Sequence, residues 1–133
     1  GGNDPEPTIE DAQILLNHAK YAENAVAIEL ATQYLKILKF IDKLKLQTKE
    51  GRHIDPESLQ KFRADIEAAA TAAARAVEEA GDRTYISLFA MTLDEGVNYA
   101  NNIVSQIQKN PSPPPSAFAR AYTALELALL QIE

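Results

Sequence analysis

Two histidines, His18 and His53, are the side chains in this sequence best suited to proton transfer near neutral pH or to holding a metal or haem iron. The chain has no cysteine, so thiolate nucleophiles, disulfides and Cys-based zinc or iron–sulfur sites are excluded. Ser58-Leu59-Gln60-Lys61 has the S-x-x-K spacing of a serine nucleophile beside a lysine, but neither S-D-N nor K-T-G follows it. Glu50-Gly51-Arg52-His53 has the E-x-x-H spacing of di-iron bundles. Such sites need two helical copies and two further carboxylates, and this single copy is interrupted by Gly51. No phosphate-binding glycine loop, H-E-x-x-H helix or nucleophile elbow is present. A Ser-His-Asp triad is a spatial arrangement, and neither histidine has a partner at sequence level. The residues therefore carry no catalytic signature, and an enzyme is not the expectation.

Polar residues placed on apolar stripes carry more information. His18 lies one turn from Leu15 and Ala22 on the side that helical phase marks as inward. There a neutral imidazole needs hydrogen-bond partners or an iron, and the alternative is a boundary histidine facing water. Gln33 and Tyr34 flank the inward stripe of the first helical segment, while Thr92 and Tyr99 border that of the third. Gly96 sits on a core stripe, although glycine costs a helix interior roughly 1 kcal/mol relative to alanine. Close helix approach is one explanation, and room for a ligand is the other. Counting from the turns brings Ala69, Ala70, Ala73, Gly96 and Ala128 to one level beside Gln33, Tyr34, Thr92 and Tyr99. A mostly apolar cavity with a few orienting polar groups is the usual anatomy of a small-molecule site.

The elements that must position these residues are helices. The first segment opens after Pro5 and Pro7, with Thr8 as N-cap, and runs to about residue 49 without glycine or proline. Asp55-Pro56-Glu57 starts the second, over 56–80: Asp caps the free amides, Pro fits the first helical position and Glu opposes the macrodipole. A third spans 83–109 after Gly81-Asp82, and Pro111-Ser112-Pro113-Pro114-Pro115 leads into a fourth over 114–132. Phe89, Leu93, Gly96, Val97, Ala100, Ile103, Val104 and Ile107 make the buried stripe of the third. Phe118, Ala121, Tyr122, Leu125, Ala128, Leu129 and Ile132 make that of the fourth. In the first segment the stripe Leu15, Ala19, Ala22 and Val26 gives way to Leu30, Tyr34, Ile37, Ile41 and Leu44. The displacement is roughly a quarter turn at about 100° per residue, which calls for a bend or a change of neighbour between Asn24 and Glu29. Short connections imply antiparallel neighbours, so the expected fold is all-α: an up-down-up-down four-helix bundle with an elongated first helix. All 133 residues belong to one domain, with 1–7 outside the fold and Gly1-Gly2 resembling a cloning scar.

Composition sets the boundaries of function. The formal net charge of −6, from 13 basic and 19 acidic residues, lacks the basic stripe that phosphate neutralisation needs, which argues against nucleic acid. The cluster Lys36, Lys39, Lys43 and Lys45 recurs at helical spacing and reads as a solvated face. No apolar run approaches the roughly 20 residues that span a bilayer, and the N-terminus is polar, so neither a membrane span nor a signal peptide is expected. A cytoplasmic or recombinant soluble setting fits.

The style of the whole chain resembles that of de novo designed helical bundles. The resemblance is carried by the caps Asp55-Pro56-Glu57-Ser58 and Gly81-Asp82, by the Ala/Glu/Arg filler from Ile66 to Ala80, and by the absence of Cys and Trp. It implies a bundle built to hold a small molecule, a porphyrin or a protein partner. The first expectation is a small-molecule ligand without a cofactor. Haem or porphyrin on His18 is one alternative. The other is a protein-interaction bundle, in which an overhang of residues 8–22 presents Leu15, Leu16, Ala19 and Ala22 to a partner or to a second copy in a homodimer.

Overall fold

The structure is a computed structural model whose described residues are 7–80 and 84–109. They form α1 (Ile9–Tyr21), α2 (Ala25–Lys49), α3 (Pro56–Ala80) and α4 (Thr84–Lys109), with no strand among them. The described residues thus form an all-α four-helix bundle, the fold class that the periodicity predicts. Its division differs. The long first segment supplies two helices, α1 and α2, while the expected helix over 114–132 lies outside the described residues.

The phase drift in that segment is a complete break. Ala22 ends α1, and Glu23 then takes φ 53°. The Glu23 amide donates to the Lys20 carbonyl at 3.0 Å and the Asn24 amide to the Ala19 carbonyl at 3.4 Å. This pair of bonds closes a Schellman turn and satisfies carbonyls that a helix end leaves free. Asn24 immediately caps α2, its side-chain oxygen accepting from the Ala27 amide at 3.0 Å. Two helices separated by a reversal have independent phases. Carrying one phase across the break therefore misassigned the inward face: Ala12, Leu16 and Ala19 are buried, Leu15 is half-buried, and Ala22 and Val26 are exposed. Residues 8–22 do not overhang; α1 folds back onto α2.

The other boundaries follow the sequence. The Thr8 hydroxyl accepts from the Asp11 amide at 3.1 Å. Asp55 receives the Glu57 amide at 3.3 Å and the Ser58 hydroxyl at 3.2 Å, ahead of Pro56 at the first position of α3. Gly51 terminates α2 at φ 74°, with the Gly51 amide on the Thr48 carbonyl and the Arg52 amide on the Gln47 carbonyl. That is the bonding pattern of the Glu23 turn, here with the residue type that pays no Cβ penalty.

Packing joins α2, α3 and α4 to one another, with α1 lying on α2. The stripe of α4 from Phe89 to Ile107 is buried as expected, as are Leu30, Tyr34, Ile37, Ile41 and Leu44 of α2. The inward face of α3 runs Leu59, Phe62, Ile66, Ala69, Ala73, Ala76 and Ala80. It is bulky at its start, where Phe62 stacks on Phe40 at 4.3 Å between centroids, and thin at its end. The thin end leaves little side chain to fill the space beside α2.

Candidate ligand-binding groove

The described residues among those expected to frame a central cavity separate into three groups. Gly96 does not open a void. A Cβ placed there would stand 2.8 Å from both Cδ1 and Cε1 of Tyr34, so the missing side chain is replaced by the tyrosine ring. Tyr34 is correspondingly buried, and Tyr99, Ala69 and Ala73 are buried in the same core. These five residues fill the interior. Close packing, the other explanation offered by glycine on a core stripe, is the one realised. Ala70 is half-buried against the core, and the half-buried Thr92 donates its hydroxyl to the Leu88 carbonyl one turn back at 2.9 Å. Ala128 lies outside the described residues.

Gln33 alone reaches a concave surface. Between α2 and α3 runs a groove of about 490 Å³, within the size range of small-molecule sites. Its existence follows from the α3 sequence. Ala64, Ala68, Ala72 and Ala76 recur every four residues and form one row along that helix, and all four line the groove opposite Val26, Leu30 and Gln33 of α2. With only methyl groups on that row, α3 cannot interdigitate there with α2, and the space stays open. Thr71 adds a hydroxyl to its wall. The Lys36 ammonium and Asp65 carboxylate meet at 3.2 Å between the same two helices. Lys36 is largely and Asp65 partly exposed, so the pair contributes at most about 1 kcal/mol.

The rim sets the chemistry. Glu29, Glu67, Glu79 and Arg75 are the charged residues that line the groove around its alanine row. The Gln33 amide donates to the Glu29 carboxylate at 3.4 Å, which holds both side chains along the α2 edge. An apolar floor with a net negative rim accepts a compact apolar body carrying positive charge and disfavours an anion. The signal that would have found the groove in the sequence is the four-residue alanine period at 64, 68, 72 and 76; the alanines singled out instead, at 69 and 73, are the adjacent row that faces the core.

No protein-family model matches the chain, and no curated protein or solved structure matches it.

His18 takes the second of its two readings, a boundary histidine facing water. It is exposed, not inward, because α1 turns Ala12, Leu16 and Ala19 toward α2 instead. It lines a shallow depression with Ile14, Asn17 and Tyr21. His53 is exposed in the loop before α3. Among the described residues no group of three or more His, Asp or Glu side chains is placed to hold a metal ion, and no helix is long and apolar enough to cross a membrane. The Ser58 hydroxyl donates to the Asp55 cap.

Proposed function

We propose that the chain is a small-molecule-binding helical bundle whose site is the α2–α3 groove, and that its ligands are compact organic cations. One observation carries this reading: a groove of about 490 Å³ with an alanine floor and the carboxylates of Glu29 and Glu67 beside the Arg75 guanidinium at its rim. The Ala/Glu/Arg filler that likens α3 to designed bundles is what creates it, since alanine supplies helix propensity without bulk and Glu and Arg supply the rim. Exposed rim charges act through a solvent that screens them, so binding weakens as ionic strength rises.

Fluorescence titration tests the reading with a cationic aromatic dye, thioflavin T, and an anionic one, anilinonaphthalene sulfonate. Thioflavin T saturates one site per chain, Ala68→Leu weakens it roughly tenfold or more, equivalent to about 1.4 kcal/mol, and the sulfonate does not compete. Leucine is nearly as good a helix former as alanine, so that substitution fills the groove without opposing the helix. Absence of saturable binding, or binding indifferent to Ala68→Leu, rejects the proposal.

A further inference from the structure

Beside the alanine row of the groove, α3 carries a second row. Glu67, Thr71 and Arg75 follow one another at four-residue steps and all three line the groove, so they stand along one wall. Opposite charges on a helix can meet when three or four residues separate them. Glu67 and Arg75 are two turns apart, about 12 Å along the axis, with the uncharged Thr71 between them. Neither is held in an ion pair or a side-chain hydrogen bond with another described residue, and Glu79, one turn beyond Arg75, is not paired with it. The opposite wall completes the layout. The Phe40–Phe62 stack and the Lys36–Asp65 pair show α2 and α3 running antiparallel, which brings Gln33 level with Ala68 and Glu29 level with Ala72. Glu29 thus stands across from the stretch between Glu67 and Arg75. It accepts from the Gln33 amide at 3.4 Å, and the Gln33 carbonyl oxygen has no donor among the described residues.

We infer that the ligand of this groove is a short linear zwitterion, an ω-amino carboxylate, with its ammonium between Glu67 and Glu29 and its carboxylate on Arg75. The inference rests on the groove being the cation site and adds the second charge. An ammonium offers three donors, and the Glu67 carboxylate, the Glu29 carboxylate and the Gln33 carbonyl supply acceptors from both walls. At the other end a guanidinium presents a planar fork that takes a carboxylate bidentately. The methyl groups of Ala68 and Ala72 lie between the two ends, a floor that suits methylenes and gives a further polar group nothing to bond. Separation of the charges selects length. An α-amino acid carries its two charges on adjacent atoms of one carbon and cannot reach Glu67 and Arg75 together. A simple carboxylate would meet Arg75 but also the two glutamates, which repel it.

Titrations of the full chain followed by amide chemical shifts test this with ε-aminohexanoate, hexylamine, hexanoate and glycine. The ε-aminohexanoate shifts amides on both walls of the groove and binds roughly fivefold tighter than hexylamine, the gain expected of one solvated charge-assisted contact. Hexanoate and glycine shift none. Arg75→Gln, at an exposed position and with a residue that keeps helix propensity, lowers ε-aminohexanoate to the affinity of hexylamine and leaves hexylamine as tight or tighter. Glu67→Gln weakens both amines. Hexylamine equal to ε-aminohexanoate in the parent, or an advantage that survives Arg75→Gln, overturns the zwitterion and leaves the cation site standing. Glycine binding as tightly as ε-aminohexanoate overturns it too, because the spacing would then select nothing. Shifts with none of the four compounds also overturn it, and saturable thioflavin T binding then shows whether the cation site survives.

Discussion

The ring of Tyr34 lies where the side chain of residue 96 would begin: a Cβ at Gly96 would stand 2.8 Å from two of its carbons. Glycine at this point of α4 admits an aromatic ring from α2, and the helix-interior cost of glycine, roughly 1 kcal/mol, is offset by burial of that ring. Gly96→Ala should therefore destabilise the protein by about 1–3 kcal/mol, since Tyr34 is locked in the core and the contact overpacks. Urea midpoints measure the loss. A double-mutant cycle with Tyr34→Ala separates the contact from propensity: Gly96→Ala becomes neutral or stabilising once the ring is removed. A Gly96→Ala variant as stable as the parent would show that the tyrosine is not held there.

Helix class, the caps at Thr8 and Asp55, the turn at Gly51 and the buried stripe of α4 were all legible, because each depends on local chemistry repeated at helical period. The break at Glu23 was only half legible. The phase of Leu30, Tyr34 and Ile37 departs from that of the preceding turns, but a turn that places glutamate at positive φ carries no glycine or proline to announce it. The groove was misplaced for a different reason. Ala68 and Ala69 are the same residue type one position apart, and which faces the core depends on the rotation of α3, a tertiary quantity. Tyr34 illustrates the same limit. Its position beside Gly96 was anticipated, yet whether the ring borders a cavity or fills one is decided by its rotamer.

Glu23 and Gly51 end α1 and α2 with the same pattern of backbone bonds, at φ 53° and 74°. The glutamate meets a Cβ penalty there that the glycine avoids, of about 1–2 kcal/mol for a left-handed residue. Glu23→Gly should accordingly raise stability. The unfolded chain gains entropy from the new glycine, so the net effect is smaller, about 0.5–1 kcal/mol. Thermal unfolding reads it as a midpoint higher by a few degrees, roughly 2–6 °C for a domain of this size. An unchanged or lower midpoint would mean that Glu23 makes a compensating interaction.

Glu95 is held above the usual carboxylate range, first by burial on α4 and second by its neighbour Asp94. An acid whose folded pKa exceeds its unfolded value leaves the native state binding more protons in the window between them. Stability then falls as pH rises from about 4.3, the ordinary glutamate value, through the raised value. Glu95→Gln removes that cost. Above the window the variant should be more stable than the parent, and below about pH 4 the two should converge. Urea titrations at neutral pH and at the acid end check the sign. A glutamine variant that is less stable at neutral pH would refute the assigned desolvation.

Ala68 and Ala69 give the most direct test of where the open space lies. Ala69 has no exposed surface and packs in the core with Tyr99 and Leu93, whereas Ala68 faces the α2–α3 groove. Leucine adds the same three carbons at either position and differs little from alanine in helix propensity, so any difference in outcome reports packing alone. At residue 69 those carbons have nowhere to go without displacing α2 or α4, and the overpacking should cost about 1–3 kcal/mol. At residue 68 they enter the groove and cover the methyl groups of Ala64 and Ala72, where each newly buried CH₂ contributes up to about 0.8 kcal/mol. Ala68→Leu should therefore be neutral or mildly stabilising, and Ala69→Leu clearly destabilising, in parallel urea titrations monitored at the helical circular dichroism band. Equal losses at both positions would mean that α2 and α3 close the groove in solution. Tolerance at residue 69 with loss at residue 68 would mean that α3 is rotated by about one residue, some 100°, and would return the cavity to the interior.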